Sequence, residues 1–153
     1  MEKFKNAFTM IELIFVIVVL GILAAVAIPR LAVTRTDAHI SKGRSDIAAI
    51  RSSIITERQS RLFRGDNTFI ATLDTGGNAL FGGLPAAVPP RILLQYPLTP
   101  GVGNGHWQTA GTGLSYTYRV SNTAVTFTYV PATGVFDCVA NAGSVDYCAK
   151  LTD

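Results

Sequence analysis

At 153 residues the chain has room for one domain with a single core beside a membrane segment, and no more. Its formal net charge of +3 argues neither for nor against a nucleic-acid partner. There is no internal repeat and no low-complexity tail.

The first seven residues are short and basic, with Lys3 and Lys5. From Phe8 to Ile28 the chain is then almost wholly apolar, roughly the 20 residues that span a bilayer core as a helix. The lysines place the N-terminal arm on the cytoplasmic side and everything after Pro29 outside. One charge interrupts the run, Glu12. A carboxylate in a lipid-facing helix is costly and needs a partner. Nothing basic lies within one turn of it in the sequence. A cut between Ala7 and Phe8 would create an amine about one turn away, and a neighbouring copy could offer that amine to Glu12. Two paired charges cost far less than one left alone.

The basic leader, then Phe8-Thr9-Met10-Ile11-Glu12-Leu13, then the unbroken apolar run resemble the prepilin signature of type IV pilins and type II secretion pseudopilins. The resemblance covers about the first third of the chain. It implies a leader of residues 1–7, removed by a prepilin peptidase between Ala7 and Phe8, with N-methylation of Phe8. It also implies that Glu12 pairs with the amine of a neighbouring Phe8. Ala7 departs from the glycine usual before the cut, though a small residue is kept. Gly21 and Pro29 stand where the family often has helix-loosening residues. Independently, Pro29 lacks an N–H and would clash with the carbonyl of Ala25, so a kink or loosened turn is expected there. Two rival readings use the same residues. An ordinary signal peptide could be cleaved after Ala25-Val26-Ala27, freeing a soluble exported binding domain. A plain membrane anchor would never assemble.

Residues 8–29 thus form the membrane or filament-core helix, and 30–64 continue it as an amphipathic helix. Ile40, Ile47, Ile50 and Ile54 recur at spacings of seven, three and four, one apolar stripe that needs a partner. Arg58, Arg61 and Arg64 suit the negative end of the helix dipole, and Gly65 suits a C-cap. Residues 65–113 carry paired Gly and Pro signals and read as a long loop wrapping the domain, pinned to the core by Trp107.

Residues 114–153 read as a sheet. Leu114, Tyr116, Tyr118 and Val120 alternate with polar residues, and so do Val125, Phe127 and Tyr129. Turns are expected at 121–123 and 131–134, with a third strand from Val135 to Cys138. An antiparallel meander packed on the helix stripe gives an α+β fold. Cys138 and Cys148 are expected to form one disulfide in an oxidising compartment. A disulfide-bounded C-terminal loop is also what the pilin resemblance implies.

No catalytic constellation is present, and no enzyme is expected. His39 and His106 are far apart; His39 reads as solvated and His106 as part of a Gly-rich turn. Gly101-Val102-Gly103-Asn104-Gly105 lacks the spacing of a dinucleotide site, and there is no Walker loop or Gly-x-Ser-x-Gly elbow. No cofactor or metal is expected. Asp66, Asp74, Asp137 and Asp146 do not form a calcium-loop pattern and read as surface carboxylates. Arg44, Arg51, Arg58, Arg61 and Arg64 read as solvated or subunit-pairing residues rather than a DNA track, since Asp46 and Glu57 interleave. The resemblance implies a pilin-like structural subunit, single-pass in the bacterial inner membrane and then in a periplasmic or surface filament. Its implied partners are further copies of itself, the peptidase, an inner-membrane assembly platform and minor pilins. The chain lacks the Trp-Gly-x-Pro-Tyr-like stretch of the calcium-binding major pseudopilin, which favours a type IV pilin or a minor pilin-like subunit.

Overall fold

A single α-helix, α1 (Met10–Leu62), accounts for the first part of the chain in the computed structural model. The structure describes residues 8–75, 79–84, 91–109, 111–141 and 143–153, and of residues 29–33 the backbone alone. The helix runs without interruption through both Gly21 and Pro29. It ends where the arginine-rich last turns and Gly65 predict. Asp66 N–H donates to Arg61 O and Gly65 N–H to Leu62 O, with Gly65 at φ +84°. That is the Schellman arrangement, which places its C′ residue in the left-handed region and so favours glycine.

The backbone divides into two compact units after Thr36. In the first, the apolar stretch Met10–Ile28 is long enough to cross a membrane and buries none of its residues. The second unit holds the sheet: β1 (Trp107–Thr109), β2 (Ser115–Val120), β3 (Thr123–Val130) and β4 (Val135–Val139). The order is β1-β2-β3-β4 and every pairing is antiparallel. Ser121 and Asn122 both have positive φ, as a tight two-residue hairpin requires. A short helix, α2 (Val145–Thr152), closes the chain.

Alternation along the strands decides what the sheet buries. Tyr116, Tyr118 and Val120 on β2, Val125, Phe127 and Tyr129 on β3, and Phe136 on β4 face the core. The helix answers with Ile47, Ile50 and Ile54, each almost fully buried, and Ile40 packs at the margin. Trp107 sits in this core against Tyr118 and Phe127. Three tyrosine hydroxyls then tie the surrounding chain down: Tyr116 to Asp74 Oδ2 (2.8 Å), Tyr118 to His39 O (2.6 Å) and Tyr129 to Ile70 O (2.9 Å).

Two segments read as loop contain regular structure. Residues 65–113 contribute strand β1, which pairs Trp107–Thr109 with Tyr116–Tyr118. Three residues are too few to show a period. The ring closed by Cys138 and Cys148 ends in α2, so Cys148 lies on a helix. Leu151 is buried, with Tyr147 and Cys148 packed beside it, and this face holds α2 on the domain. Gly43 makes room for it, since a Cβ there would meet Leu151 Cδ2 and Tyr118 Cε1 at 2.6 Å.

Candidate assembly site

The first turn of α1 is organised around Thr9 and Glu12. Thr9 N–H and Thr9 Oγ1 both donate to Glu12 Oε2, at 3.0 and 2.9 Å. In return Glu12 N–H donates to Thr9 Oγ1 at 3.3 Å. This reciprocal pair is a capping box, with Thr9 at the N-cap and Glu12 at the third helical position. It satisfies helix-end donors that have no intrahelical acceptor. The signal Thr-x-x-Glu before an apolar run is legible in the sequence, although charge alone does not point to Thr9. Both donated bonds fall on Oε2. Among the described residues no Lys or Arg lies within ion-pair distance of this carboxylate.

The remaining predicted site residues are dispersed. Phe8 precedes the cap and is 84% exposed. Ala7 and the rest of the leader lie outside the described residues. Gly21 has open space around it. The side chain of Pro29 is not among those described. Cys138 and Cys148 are joined as a disulfide.

Several arginines of the second unit are tied to their own domain. Arg51 donates to Phe136 O and pairs with Asp137 at 2.9 Å. Arg44 Nε donates to Lys150 O. Glu57, only 6% exposed, continues the isoleucine stripe and gathers Arg91 at 2.7 Å, Arg61 at 3.2 Å and Arg64 at 3.7 Å. A buried carboxylate needs such partners, and removing them would leave an uncompensated charge. Arg91 also donates to Ser60 Oγ and so pins the 65–113 segment to the helix. The sequence does not reveal this pairing, because its partners are far apart along the chain.

His39 is half-buried with its ring against Gly105, rather than on a solvated face. Lys42 Nζ donates to Gly105 O at 2.7 Å, and Trp107 Nε1 donates to Asp46 Oδ2 at 2.9 Å. The Gly-rich stretch is thus a docking loop on the helix. Asp74 is buried rather than on the surface. Asp66 accepts from Thr68 Oγ1 and N–H, and these bonds hold its carboxyl below the usual carboxylate range. Among the described residues no three His, Cys, Asp or Glu side chains come together as a metal site.

Residues 3–28 match the family described as the prokaryotic N-terminal methylation motif. The chain is 33% identical over 90 residues to the type II secretion system core protein G of Aeromonas hydrophila, covering 59% of each chain. It is 35% identical over 80 residues to the protein of the same name from Dickeya chrysanthemi, covering 52% of this chain and 48% of that one. It therefore spans about half the length of these curated relatives. No solved structure matches it. The chain carries the prokaryotic N-terminal methylation motif and is similar, over more than half its length, to type II secretion system core proteins.

Proposed function

We propose that this chain is a pseudopilin, a structural subunit that polymerises through its N-terminal helix into a secretion pseudopilus. The observation that carries the reading is the stretch Met10–Ile28, apolar, helical and wholly unburied, with one carboxylate at its head. Such a surface needs cover from a bilayer or from other copies. The names of both relatives favour the secretion system over the type IV pilus that the missing Trp-Gly-x-Pro-Tyr-like stretch suggested.

In this reading the leader targets the subunit to the inner membrane, where the peptidase cuts between Ala7 and Phe8 and methylates Phe8. Further pilin-like subunits and an assembly platform then take part in growth of the periplasmic filament. The Phe8 amine of one copy meets Glu12 of its neighbour and sets the axial register. The capping box suits that role: Thr9 holds Oε2, and Oε1 has no partner among the described residues, so one oxygen is open to an incoming amine. Gly21 and Pro29 are weak points at which the helix can stretch in a filament under tension, each weakening the intrahelical ladder locally.

Glu12→Val should leave the subunit in the membrane fraction and abolish filaments seen by electron microscopy. A normal filament yield from that variant would remove the pairing role. The mature N-terminus should be N-methylated Phe8. An N-terminus near Ile28 would mean ordinary signal cleavage, and with it the loss of the polymerisation reading.

A further inference from the structure

Arg58 differs from its neighbours on α1. Arg51, Arg61 and Arg64 each hold a carboxylate, whereas among the described residues none lies within ion-pair distance of Arg58. Instead its guanidinium lies 3.6 Å from the centre of the Phe69 ring. Stacking fixes the plane of the fork without using up its hydrogen-bond donors. Arg58 opens on a hollow of about 320 Å³, walled by Asn67, Phe69 and Pro131. Beside it Ile55 and Val135 form an apolar shelf, 58% and 49% exposed. The groove therefore offers an oriented, unpaired cation next to uncovered apolar surface.

A complement stands on α2 of the same unit. In the first turn of α2, Val145 is 51% exposed and Asp146 beside it is exposed, with no ion pair among the described residues. The far end of α2, at Lys150 and Leu151, rests on α1 at Arg44 and Gly43. The Arg58 groove lies about 20 Å further along α1 at ~1.5 Å per residue. A single domain cannot join two such poles to each other. Copies that share one orientation bring the α2 pole of one against the groove pole of the next.

We propose that the Arg58 groove of one subunit receives the Val145–Asp146 corner of the next copy in the filament. Asp146 meets the stacked guanidinium, and Val145 covers the shelf of Ile55 and Val135. The contact is heterologous, with different surfaces on the two partners, so it repeats along an open filament instead of closing a dimer. A charge-assisted bond to a half-buried, pre-oriented arginine fixes register as well as affinity. This rests on the polymerisation reading above and assigns its contact between globular domains.

The test is charge exchange in the full-length chain, read as the fraction recovered in sheared filaments. Asp146→Arg alone, and Arg58→Glu alone, should each lower that fraction about tenfold, because like charges then face each other. The double variant should restore it to within about twofold of the original chain. Asp146→Arg alters an exposed position in the first turn of α2, so its subunit should stay folded with a small loss of thermal stability at most, which circular dichroism checks. Normal filaments from Asp146→Arg, or a double variant no better than the singles, would overturn the contact and leave the polymerisation reading standing. Absence of filaments from the unaltered chain would overturn that reading and the contact with it.

Discussion

Ile11, Ile17 and Ile22 are 72%, 58% and 64% exposed, while Ile47, Ile50 and Ile54, further along the same helix, are exposed by 2% or less. One residue type in one kind of backbone meets opposite fates. The later stretch finds its cover within the chain, in the aromatic face of β2 and β3. Among the described residues the earlier stretch has none. From Met10 to Ile28, fourteen large apolar side chains stand exposed. At about 1.5–3 kcal/mol for each side chain buried, their cover is worth tens of kcal/mol. That exceeds the ~5–15 kcal/mol by which a whole domain is stable. The demand for an external partner is therefore the dominant energetic fact of the first unit, and self-sufficiency that of the second.

The sharpest way to break this contrast is to ruin the cover of the second stretch alone. Phe127 is fully buried, stacked on Phe136 at 5.5 Å and edge-on to Trp107 at 5.3 Å. Phe127→Ala should destabilise the domain by about 3–5 kcal/mol. The apolar stretch owes nothing to Phe127, so the variant should still enter the membrane fraction. Chemical denaturation in detergent, followed through Trp107 fluorescence, measures the first effect, and alkaline carbonate extraction of membranes checks the second. Loss of membrane association would show that the two units depend on one another.

A smaller effect is expected from the disulfide, which sharpens the contrast by showing how the second unit holds its edge. Cys138 on β4 and Cys148 on α2 close a short ring. Opening it through Cys138→Ser with Cys148→Ser should cost about 3 kcal/mol in the chain-entropy account. Leu151 and its neighbours still hold α2 to the core, so the sheet should remain folded at neutral pH. A denaturant midpoint unchanged from the parent would show that α2 is fastened by packing alone.

How much of this was legible in the sequence depends on the range of the interaction. Ile47, Ile50 and Ile54 announce their helix face through a period that repeats every turn. Tyr116, Tyr118, Phe127 and Tyr129 announce the sheet by alternation. The head of the helix is legible too, since Thr9 and Glu12 are three residues apart, although attention to charge alone misses Thr9. Strand β1 is not legible: three residues carry no period, and their identity as a strand comes from Tyr116–Tyr118. Helix α2 has a readable face in Tyr147, Cys148 and Leu151, but the short ring between Cys138 and Cys148 suggests a loop first. The bond of Arg91 to Glu57 crosses more than thirty positions, and only the folded chain brings its ends together.

The smallest effect separates the two regions by pH. Burial raises the pKa values of Tyr116, Tyr118 and Tyr129, aided at Tyr116 by its bond to the Asp74 carboxylate and at Tyr118 by the charge of Asp46. Below about pH 10 these phenols are protonated in both folded and unfolded chains and contribute no slope. Above it the unfolded chain releases protons that the folded domain retains, so the unfolded state binds fewer and stability falls as pH rises. A tyrosine contributes up to about 1.4 kcal/mol per pH unit, over the range in which it is ionised in the unfolded chain and still protonated in the folded one. Tyr129→Phe should therefore behave in two opposite ways. At neutral pH it loses the bond to Ile70 O and about 1 kcal/mol. Above pH 10 it should lose stability more gently than the parent, because the contribution of Tyr129 is gone and those of Tyr116 and Tyr118 remain, so the gap narrows. Within Met10–Ile28 the only ionisable side chain is Glu12, already charged at such pH. Membrane retention should thus stay constant across the range in which the domain weakens. Parallel denaturation curves for Tyr129→Phe and its parent above pH 10 would mean that Tyr129 ionises within the folded domain, and that its burial is less complete than its 1% exposure indicates.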